Sequence, residues 1–106
     1  MSAADTTVER AGRAIIEATT VPTKVILFGS RARADGDDRS DFDFLVIERE
    51  VDDRFGEMVR LGRILGRLLI PADVIVASEE YVRTWGSVKG TMIHDAMTEG
   101  RVVAES

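Results

Sequence analysis

The chain has 106 residues, 44% of them hydrophobic and 31% charged, a balance typical of a folded domain rather than a disordered chain. Its formal net charge is -5, which disfavours tight binding to a nucleic-acid backbone. The absence of cysteine excludes disulfides, thiolate metal sites and a cysteine nucleophile. Apolar runs are far shorter than the roughly 20 residues of a membrane span, so we expect a single cytoplasmic domain over residues 1–106.

The predicted secondary-structure elements alternate between helices and strands along the chain. Apolar residues at helical spacing predict helices over residues 7–19, 53–69 and 87–98, and Ser78 is predicted to cap a further short helix. Strands are predicted at residues 24–28, 42–48 and 72–77, with an edge strand at 101–104. Residues 29–40 are predicted to form a loop with one helical turn at its start. This order predicts an α/β (α+β) domain whose short mixed sheet has helices packed mainly on one face.

Two of these helices carry further signals. Thr6 and Glu9 form a capping-box pattern at the start of the first helix. In the helix over 53–69, Gly62 and Gly66 weaken the helix but permit close packing against a neighbour. The predicted apolar side of that helix consists of Phe55, Met58, Leu61, Leu65, Leu68 and Leu69. The arginines of the same helix are expected to form a solvated face or to meet an acidic partner; they are Arg60, Arg63 and Arg67.

A pair of acidic residues begins the second strand. Asp41 and Asp43 are two residues apart, so on a strand their side chains point to the same face, about 6.5–7 Å apart along the backbone. Holding two carboxylates together is unfavourable unless a cation is present or one of them is protonated. Oxygen ligands favour Mg²⁺ over softer metals. The pair therefore predicts a magnesium site.

A glycine and a serine follow the first predicted strand. Gly29 has no side chain to keep a ligand away from the backbone, and a helical turn beginning at Ser30 would direct backbone N–H groups and a hydroxyl at a phosphate. Arg31 and Arg33 are candidates for contacting triphosphate oxygens, although solvated loop arginines are an equally good interpretation. A phosphate site beside paired acids predicts a complex of metal and nucleoside triphosphate.

A third acid lies in an otherwise apolar strand. Asp73 begins the segment Asp-Val-Ile-Val, where it is predicted to join Asp41 and Asp43, to ligate the metal and to take a proton from an attacking hydroxyl. The alternative is a strand-entry acid that caps a turn or pairs with an arginine. A calcium loop is excluded because Phe42 occupies the position that needs glycine, and a Walker loop because no Gly-Lys-Ser/Thr follows Gly29.

The combination of these motifs resembles the DNA polymerase beta nucleotidyltransferase superfamily, and within it the minimal nucleotidyltransferases (MNT) of bacteria and archaea. The matching residues are Gly29-Ser30, the Asp41-x-Asp43 pair and Asp73, and the likeness extends over nearly the whole chain. The resemblance implies a nucleotidyltransferase fold, Mg²⁺ (two ions) and transfer of AMP from ATP. The chain departs from the family pattern at Ala34, where glycine is common, and at Phe42 and Phe44, where aliphatic residues are more usual.

Many minimal nucleotidyltransferases are antitoxins paired with a HEPN-domain ribonuclease toxin, and some adenylylate a tyrosine of that toxin. The resemblance therefore implies a protein adenylyltransferase that acts on a HEPN-type partner and forms a hetero-oligomer with it. Two other functions stay open: a non-catalytic antitoxin that neutralises its partner by binding, and a sensor that binds ATP without turnover. His94 is expected to be an ordinary residue, whereas Tyr81 and Trp85 are either core residues or interface anchors.

Overall fold

The structure of the protein is a computed structural model that describes residues 3–33 and 41–106, with backbone only at residues 3, 4, 30 and 33. Its elements, in chain order, are α1 (Ala3–Ala18), β1 (Thr23–Phe28), α2 (Ser30–Arg33), β2 (Phe42–Glu48), α3 (Arg54–Arg67), β3 (Ala72–Ser78), α4 (Glu79–Trp85), α5 (Met92–Glu99) and β4 (Arg101–Glu105).

The four strands form one mixed sheet in the order β3-β2-β1-β4. The central strand β1 is antiparallel to both β2 and β4, whereas β2 and β3 run parallel and are connected by α3. The end of β1 and the beginnings of β2 and β3 consequently lie at the same edge of the sheet. The predicted mixed sheet, including its edge strand at the C-terminal end, is confirmed.

Each face of the sheet has its own apolar cluster because the strand side chains alternate between the two faces. The larger cluster joins Val25, Leu27 and Phe44 to Ile15 of α1 and Leu61 of α3. The smaller cluster, on the other face, consists of Ile26, Leu45, Ile47, Ala77, Ile93 and Ala96. The two longest helices thus share one face, and the shorter α4 and α5 pack on the other.

The helix boundaries differ from the sequence prediction in two places. Helix α1 begins at Ala3, so Thr6 lies inside the helix and the capping-box interpretation is wrong. Helix α5 begins at Met92 rather than near residue 87, because Thr91 is its N-cap and its hydroxyl accepts a hydrogen bond from the His94 N–H at 3.1 Å. The prediction for α4 is confirmed, since the Ser78 hydroxyl accepts from the Tyr81 N–H at 3.1 Å.

Helix α3 buries only part of its predicted apolar side. Leu61 and Leu65 are buried and Met58 is half-buried, but Phe55 and Leu69 are 76% and 89% exposed. The prediction was wrong for these two residues because Phe55 belongs to a second apolar stripe, on a flank of the helix beside its core-facing side, and Leu69 lies past the helix end. Asp53 caps α3, since its side chain accepts a hydrogen bond from the Gly56 N–H at 3.0 Å.

Two further expectations concern surfaces. Tyr81 and Trp85 are both partly exposed, and their ring centroids are 6.3 Å apart, so neither is a core residue. Among the helices of the described residues, none has the length and apolarity that crossing a bilayer requires.

Candidate functional site

The strand register places Asp43 at the centre of the predicted site. Asp43 lies opposite Asp73 in the parallel β2–β3 pair and opposite Phe28 in the antiparallel β1–β2 pair. Gly29 follows Phe28 directly. Asp43 therefore has Asp73 on one side and the Gly29 turn on the other, which is the convergence that the sequence predicted for these three residues.

Gly29 approaches Asp43 too closely for any other residue type. A Cβ atom placed on Gly29 would collide with Oδ2 of Asp43, and the backbone of Gly29 has a φ of +78°. Such a φ is readily adopted by glycine and strained for residues with a side chain. From this turn the chain enters α2, beginning with a hydrogen bond from the Ala32 N–H to the Gly29 carbonyl at 3.1 Å. The glycine thus permits both the turn and the contact with the carboxylate.

The three aspartates influence one another electrostatically. The pKa of Asp43 is raised above its ordinary value by burial first, then by the charge of Asp73 and then by that of Asp41. Asp43 is half-buried, whereas Asp41 and Asp73 are exposed at the mouth of the site. A positive charge placed among these carboxylates would relieve the repulsion that raises the pKa of Asp43.

The donor chemistry of the site fits Mg²⁺. The carboxylates of Asp43 and Asp73 supply the oxygen ligands that Mg²⁺ prefers, and this ion is usually held by one or two carboxylates together with substrate phosphate oxygens. Within the described parts of the chain, no three acidic or histidine side chains converge closely enough to hold a metal ion by themselves. The residues present are therefore suited to an ion that shares its coordination with a substrate.

The predicted phosphate contacts have a mixed outcome. The guanidinium of Arg31 lies 4.4 Å from the ring centroid of Phe42, whose side chain belongs to the sheet face opposite that of Asp43. The backbone of Ser30 and Arg33 forms part of α2, but their side chains fall outside the described residues, as does Ala34. The structure thus brings together Gly29, Asp43 and Asp73, leaves Asp41 as an exposed charge near them, and directs Arg31 to the Phe42 ring.

The two phenylalanines that depart from the family pattern are both buried. The rings of Phe42 and Phe44 stack with centroids 6.1 Å apart, and they pack beneath α1 and α3. The guanidinium of Arg31 additionally lies over the Phe42 ring. Sequence analysis missed this role, although the alternation of faces along β2 already separates Phe42 from Asp43.

Sequence analysis also missed a second acidic cluster, at the far end of β2. Glu48 is only 5% exposed, and burial together with a hydrogen bond and repulsion from Glu57 raises its pKa to about 7. Arg60 donates two hydrogen bonds to Glu57, at 2.7 and 2.8 Å, and a third to the Ala18 carbonyl at 2.8 Å. The hydrogen bonds from Arg60 lower the pKa of Glu57. Arg60 is therefore not a purely solvated residue; the three-residue spacing of Glu57 and Arg60 was the available signal.

The sequence profile of the Polymerase beta nucleotidyltransferase family matches residues 13–106. This match spans most of the chain, and the protein belongs to that family. The fold agrees with that membership, and the resemblance found in the sequence is confirmed at the level of family and fold. No curated protein sequence matches the chain significantly.

Several solved structures share the fold at low sequence identity. One is a structure of tri-AMPylated Shewanella oneidensis HEPN toxin in complex with MNT antitoxin, with 14% identity, a TM-score of 0.63, and coverage of 95% of this chain and 71% of that one. A putative nucleotidyltransferase from Sulfolobus solfataricus has 21% identity, a TM-score of 0.59, and coverage of 92% and 77%. A toxin–antitoxin structure with AMP-PNP has 17% identity, a TM-score of 0.60, and coverage of 96% and 73%.

Proposed function

We propose that the protein transfers AMP from ATP to a hydroxyl group of a partner protein, and that it acts as the antitoxin of a HEPN-type ribonuclease toxin. The observation that supports this most directly is the position of Asp43, between the Gly29 turn and Asp73, with a pKa raised by burial and then by the neighbouring aspartates. Such an arrangement of carboxylates favours binding of a cation that accompanies a triphosphate.

Each residue of the site has a part in this reaction. Gly29 lets the Asp43 carboxylate lie against the backbone of the turn, and the backbone of Ser30, where the triphosphate is proposed to bind, follows at the start of α2. Asp73, exposed at the beginning of β3, accepts the proton of the attacking hydroxyl. The hydroxyl oxygen forms a bond to the α-phosphorus, the bond from that phosphorus to the bridging oxygen breaks, and pyrophosphate leaves with the electron pair.

The proposed cofactor is Mg²⁺, with two ions held by Asp41, Asp43 and Asp73 together with phosphate oxygens. When bound, it neutralises charge on the triphosphate and on the leaving pyrophosphate. The chain's own contribution is to hold these carboxylates on one rigid sheet edge, so that little reorganisation is required when substrate arrives. Arg31 and Arg33 are proposed as phosphate contacts, and for Arg31 this requires its guanidinium to leave the Phe42 ring.

The acceptor is proposed from the neighbouring structures. One contains an AMPylated HEPN toxin with an MNT antitoxin, and another contains a toxin–antitoxin pair with AMP-PNP, an analogue of ATP. The aspartates of this protein lie at an open edge of the sheet, where Asp41 and Asp73 are exposed. An exposed site of this kind is accessible to a hydroxyl on the surface of a second protein.

Intact-mass analysis tests the reaction. The chain is incubated with a HEPN-type partner and Mg–ATP, and we expect the partner to gain one or more AMP units while pyrophosphate is released. The double variant Asp41→Asn with Asp43→Asn is expected to abolish the mass gain while it still binds the partner. No mass gain with the native chain would refute the transfer reaction.

The same variant separates catalysis from simple binding in cells. If Asp41→Asn with Asp43→Asn protects cells from the toxin as well as the native chain does, neutralisation occurs by complex formation and the proposed catalysis is wrong. If ATP stabilises the chain thermally without release of pyrophosphate, the protein is a nucleotide sensor instead.

A further inference from the structure

Helix α3 carries a second apolar stripe that faces away from the core. Phe55 is 76% exposed, Val59 is 50% exposed and Leu69, just past the helix, is 89% exposed. Gly62 and Gly66 lie between them; the spacing of 4, 3 and 4 residues places Phe55, Val59, Gly62 and Gly66 on one side of the helix, and Leu69 follows just past its end. We call these five residues the outer stripe. It is continuous along the whole length of α3.

The two glycines of the outer stripe have no role in packing within the described part of the chain. A Cβ atom added to either Gly62 or Gly66 would meet nothing within 4 Å. Alanine is a considerably better helix former than glycine, so the helix would be more stable with alanine at both positions. Their only structural effect is to leave a shallow depression in the helix surface, with backbone at its floor.

The residue that closes the outer stripe is also unfavourable for the isolated chain. Leu69 has a φ of +59° and follows the last turn of α3, where its N–H donates to the Gly66 carbonyl at 3.0 Å and the Ile70 N–H donates to the Leu65 carbonyl at 3.0 Å. Glycine is the usual residue at this position of a helix end. A large apolar side chain is instead held in a strained backbone conformation and projects into solvent.

The outer stripe therefore has a concave shape. Bulky side chains stand at its two ends, Phe55 and Val59 at one and Leu69 at the other, and the glycines form a depression between them. A helix with a large apolar side chain at the centre of its contact surface would fill that depression.

Positive charge lies along one side of the outer stripe, although the whole chain has a net charge of -5. Arg63 and Arg67 are exposed beside it and line a groove of about 540 Å³ that includes Val59. A second groove, of about 550 Å³, continues from Arg67 towards α1, where Arg10 and Arg13 outnumber the one acidic lining residue, Glu17. Within residues 3–33 and 41–106, none of these four arginines forms an ion pair with a carboxylate.

We propose that the outer stripe and the adjacent arginines dock an amphipathic, acidic helix of a partner protein. A large apolar side chain of that helix lies on Gly62 and Gly66, and its carboxylates face Arg63 and Arg67. Charge complementarity favours an acidic partner over a second copy, because antiparallel copies would bring their arginine rows together on the same side. This inference rests on the proposed function in one respect, since it takes the HEPN-type acceptor as the partner.

The central experiment measures folding and docking separately. In the double variant Gly62→Gln with Gly66→Gln, both substitutions introduce good helix formers into open space, so we expect Tm to rise by about 4–8 °C. The same side chains fill the depression, so we expect affinity for the HEPN-type partner, measured by isothermal titration calorimetry, to fall at least tenfold. A merely structural role for the glycines would not move the two quantities in opposite directions.

Charge is tested by Arg63→Glu with Arg67→Glu, for which we expect a similar loss of affinity and a weaker dependence of binding on salt. The matched controls are Arg49→Glu, an exposed charge reversal away from α3, and Thr84→Gln on α4, and both are expected to bind like the native chain. Unchanged affinity in the glycine variant or in the arginine variant would overturn the docking surface. Loss of a homodimer in either variant, measured by sedimentation, would identify a second copy as the occupant and also overturn the proposal.

Failure of the proposed function gives a different result. If the native chain binds the HEPN-type partner without AMP transfer and the glycine variant releases it, the docking surface stands and the catalytic proposal falls. If transfer occurs and the glycine variant binds normally, the catalytic proposal stands and the docking surface falls.

If no HEPN-type protein binds, the probe is a synthetic helical peptide with leucine along its contact side and glutamate beside it. Equal binding of a matched peptide with lysine in place of glutamate, or no binding at all, would refute the surface.

Discussion

Each end of strand β2 carries a cluster of acidic residues, and the two clusters differ in how the repulsion between their carboxylates is relieved. Burial raises the pKa of Asp43 at one end and that of Glu48 at the other, and in both cases a neighbouring carboxylate adds to the shift. At the Glu48 end, Arg60 forms a two-pronged ion pair with Glu57, and Glu48 shares a hydrogen bond with Glu57. Arg60 thus balances the charge of Glu57, while Oε2 of Glu48 is buried with no hydrogen-bond partner among the described residues.

Among the described side chains, the Asp43 end has no arginine of this kind. Its neighbours are Asp73, Asp41 and the Gly29 turn, and among the described side chains no arginine or lysine pairs with Asp43. Arg31, the nearest candidate from the sequence, lies on the Phe42 ring. At the Glu48 end the chain supplies its own arginine to the neighbouring Glu57, whereas the cluster of acids beside the Gly29 turn is suited to a positive charge from outside.

The largest expected effect separates the two ends by activity. We call Asp41, Asp43 and Asp73 the open cluster, and Glu48 and Glu57 the closed cluster. Asp43→Asn removes a carboxylate from the open cluster, and we expect AMP transfer to the partner to fall by at least about 10²–10³-fold. Glu48→Gln, the matched change at the closed cluster, is expected to leave transfer within about twofold of the native rate. The measurement is release of pyrophosphate with time. Comparable rates for the two variants would show that the clusters do not differ in function.

A second prediction concerns the contact between Gly29 and Asp43. Gly29→Ala is expected to destabilise the fold by more than the roughly 1–3 kcal/mol of a strained positive φ, because its Cβ also collides with Asp43. The control is Gly90→Ala, since Gly90 has a φ of +89° and open space around it. In an Asp43→Ala background, Gly29→Ala should lower the free energy of unfolding by no more than Gly90→Ala does. Urea denaturation measures all three, and equal costs in the native background would disprove the close contact.

The third prediction uses pH at the Glu48 end. The folded pKa of Glu48 is about 7 and its ordinary value is 4.5, so the folded state holds this proton more tightly than the unfolded state does. The stability from this group is fully present below pH 4.5 and is lost as pH rises through 7. We expect the free energy of unfolding to fall between pH 5 and pH 8, by at most about 1.4 kcal/mol per pH unit.

Glu48→Gln is the control for this pH dependence, because glutamine cannot titrate. Its free energy of unfolding should change less between pH 5 and pH 8 than that of the native chain. Glu57 acts in the opposite sense at lower pH, since its lowered pKa makes its stabilisation disappear as pH falls below its ordinary 4.5. Identical pH profiles for the native chain and Glu48→Gln would contradict the assignment.

The smallest expected effect is thermal stabilisation by the metal alone. Millimolar Mg²⁺ without nucleotide is expected to raise the Tm of the native chain and of Glu48→Gln by about 1–4 °C, because it relieves repulsion only at the open cluster. Asp43→Asn should show no shift. Differential scanning fluorimetry is sufficient for the measurement. A Tm shift that disappears in Glu48→Gln and persists in Asp43→Asn would show that the ion binds at the Glu48 end of β2, and would contradict the prediction.

Much of the fold could be predicted because its signals are local. The strand over β2 was predicted with its observed boundaries, and Ser78 was correctly identified as the cap of α4. The predicted starts of two helices were wrong because another local signal competed. Helix α5 is capped by Thr91 rather than beginning at residue 87, and α1 begins at Ala3, before Thr6. The site aspartates were predicted together from their spacing and resemblance, whereas the position of Arg31 on Phe42 depends on contacts that no local pattern encodes.

The sequence by itself determined which residues share a face, because the period of a strand or helix follows from backbone geometry. It placed Asp41 and Asp43 on the same side of β2 and predicted a single apolar side for α3. Only the tertiary structure decided that Asp43 lies opposite Asp73 and that Phe55 and Leu69 stay outside the core. Strand register and helix packing are set by partners distant in sequence, and a pattern along one segment carries no information about which partner it will meet.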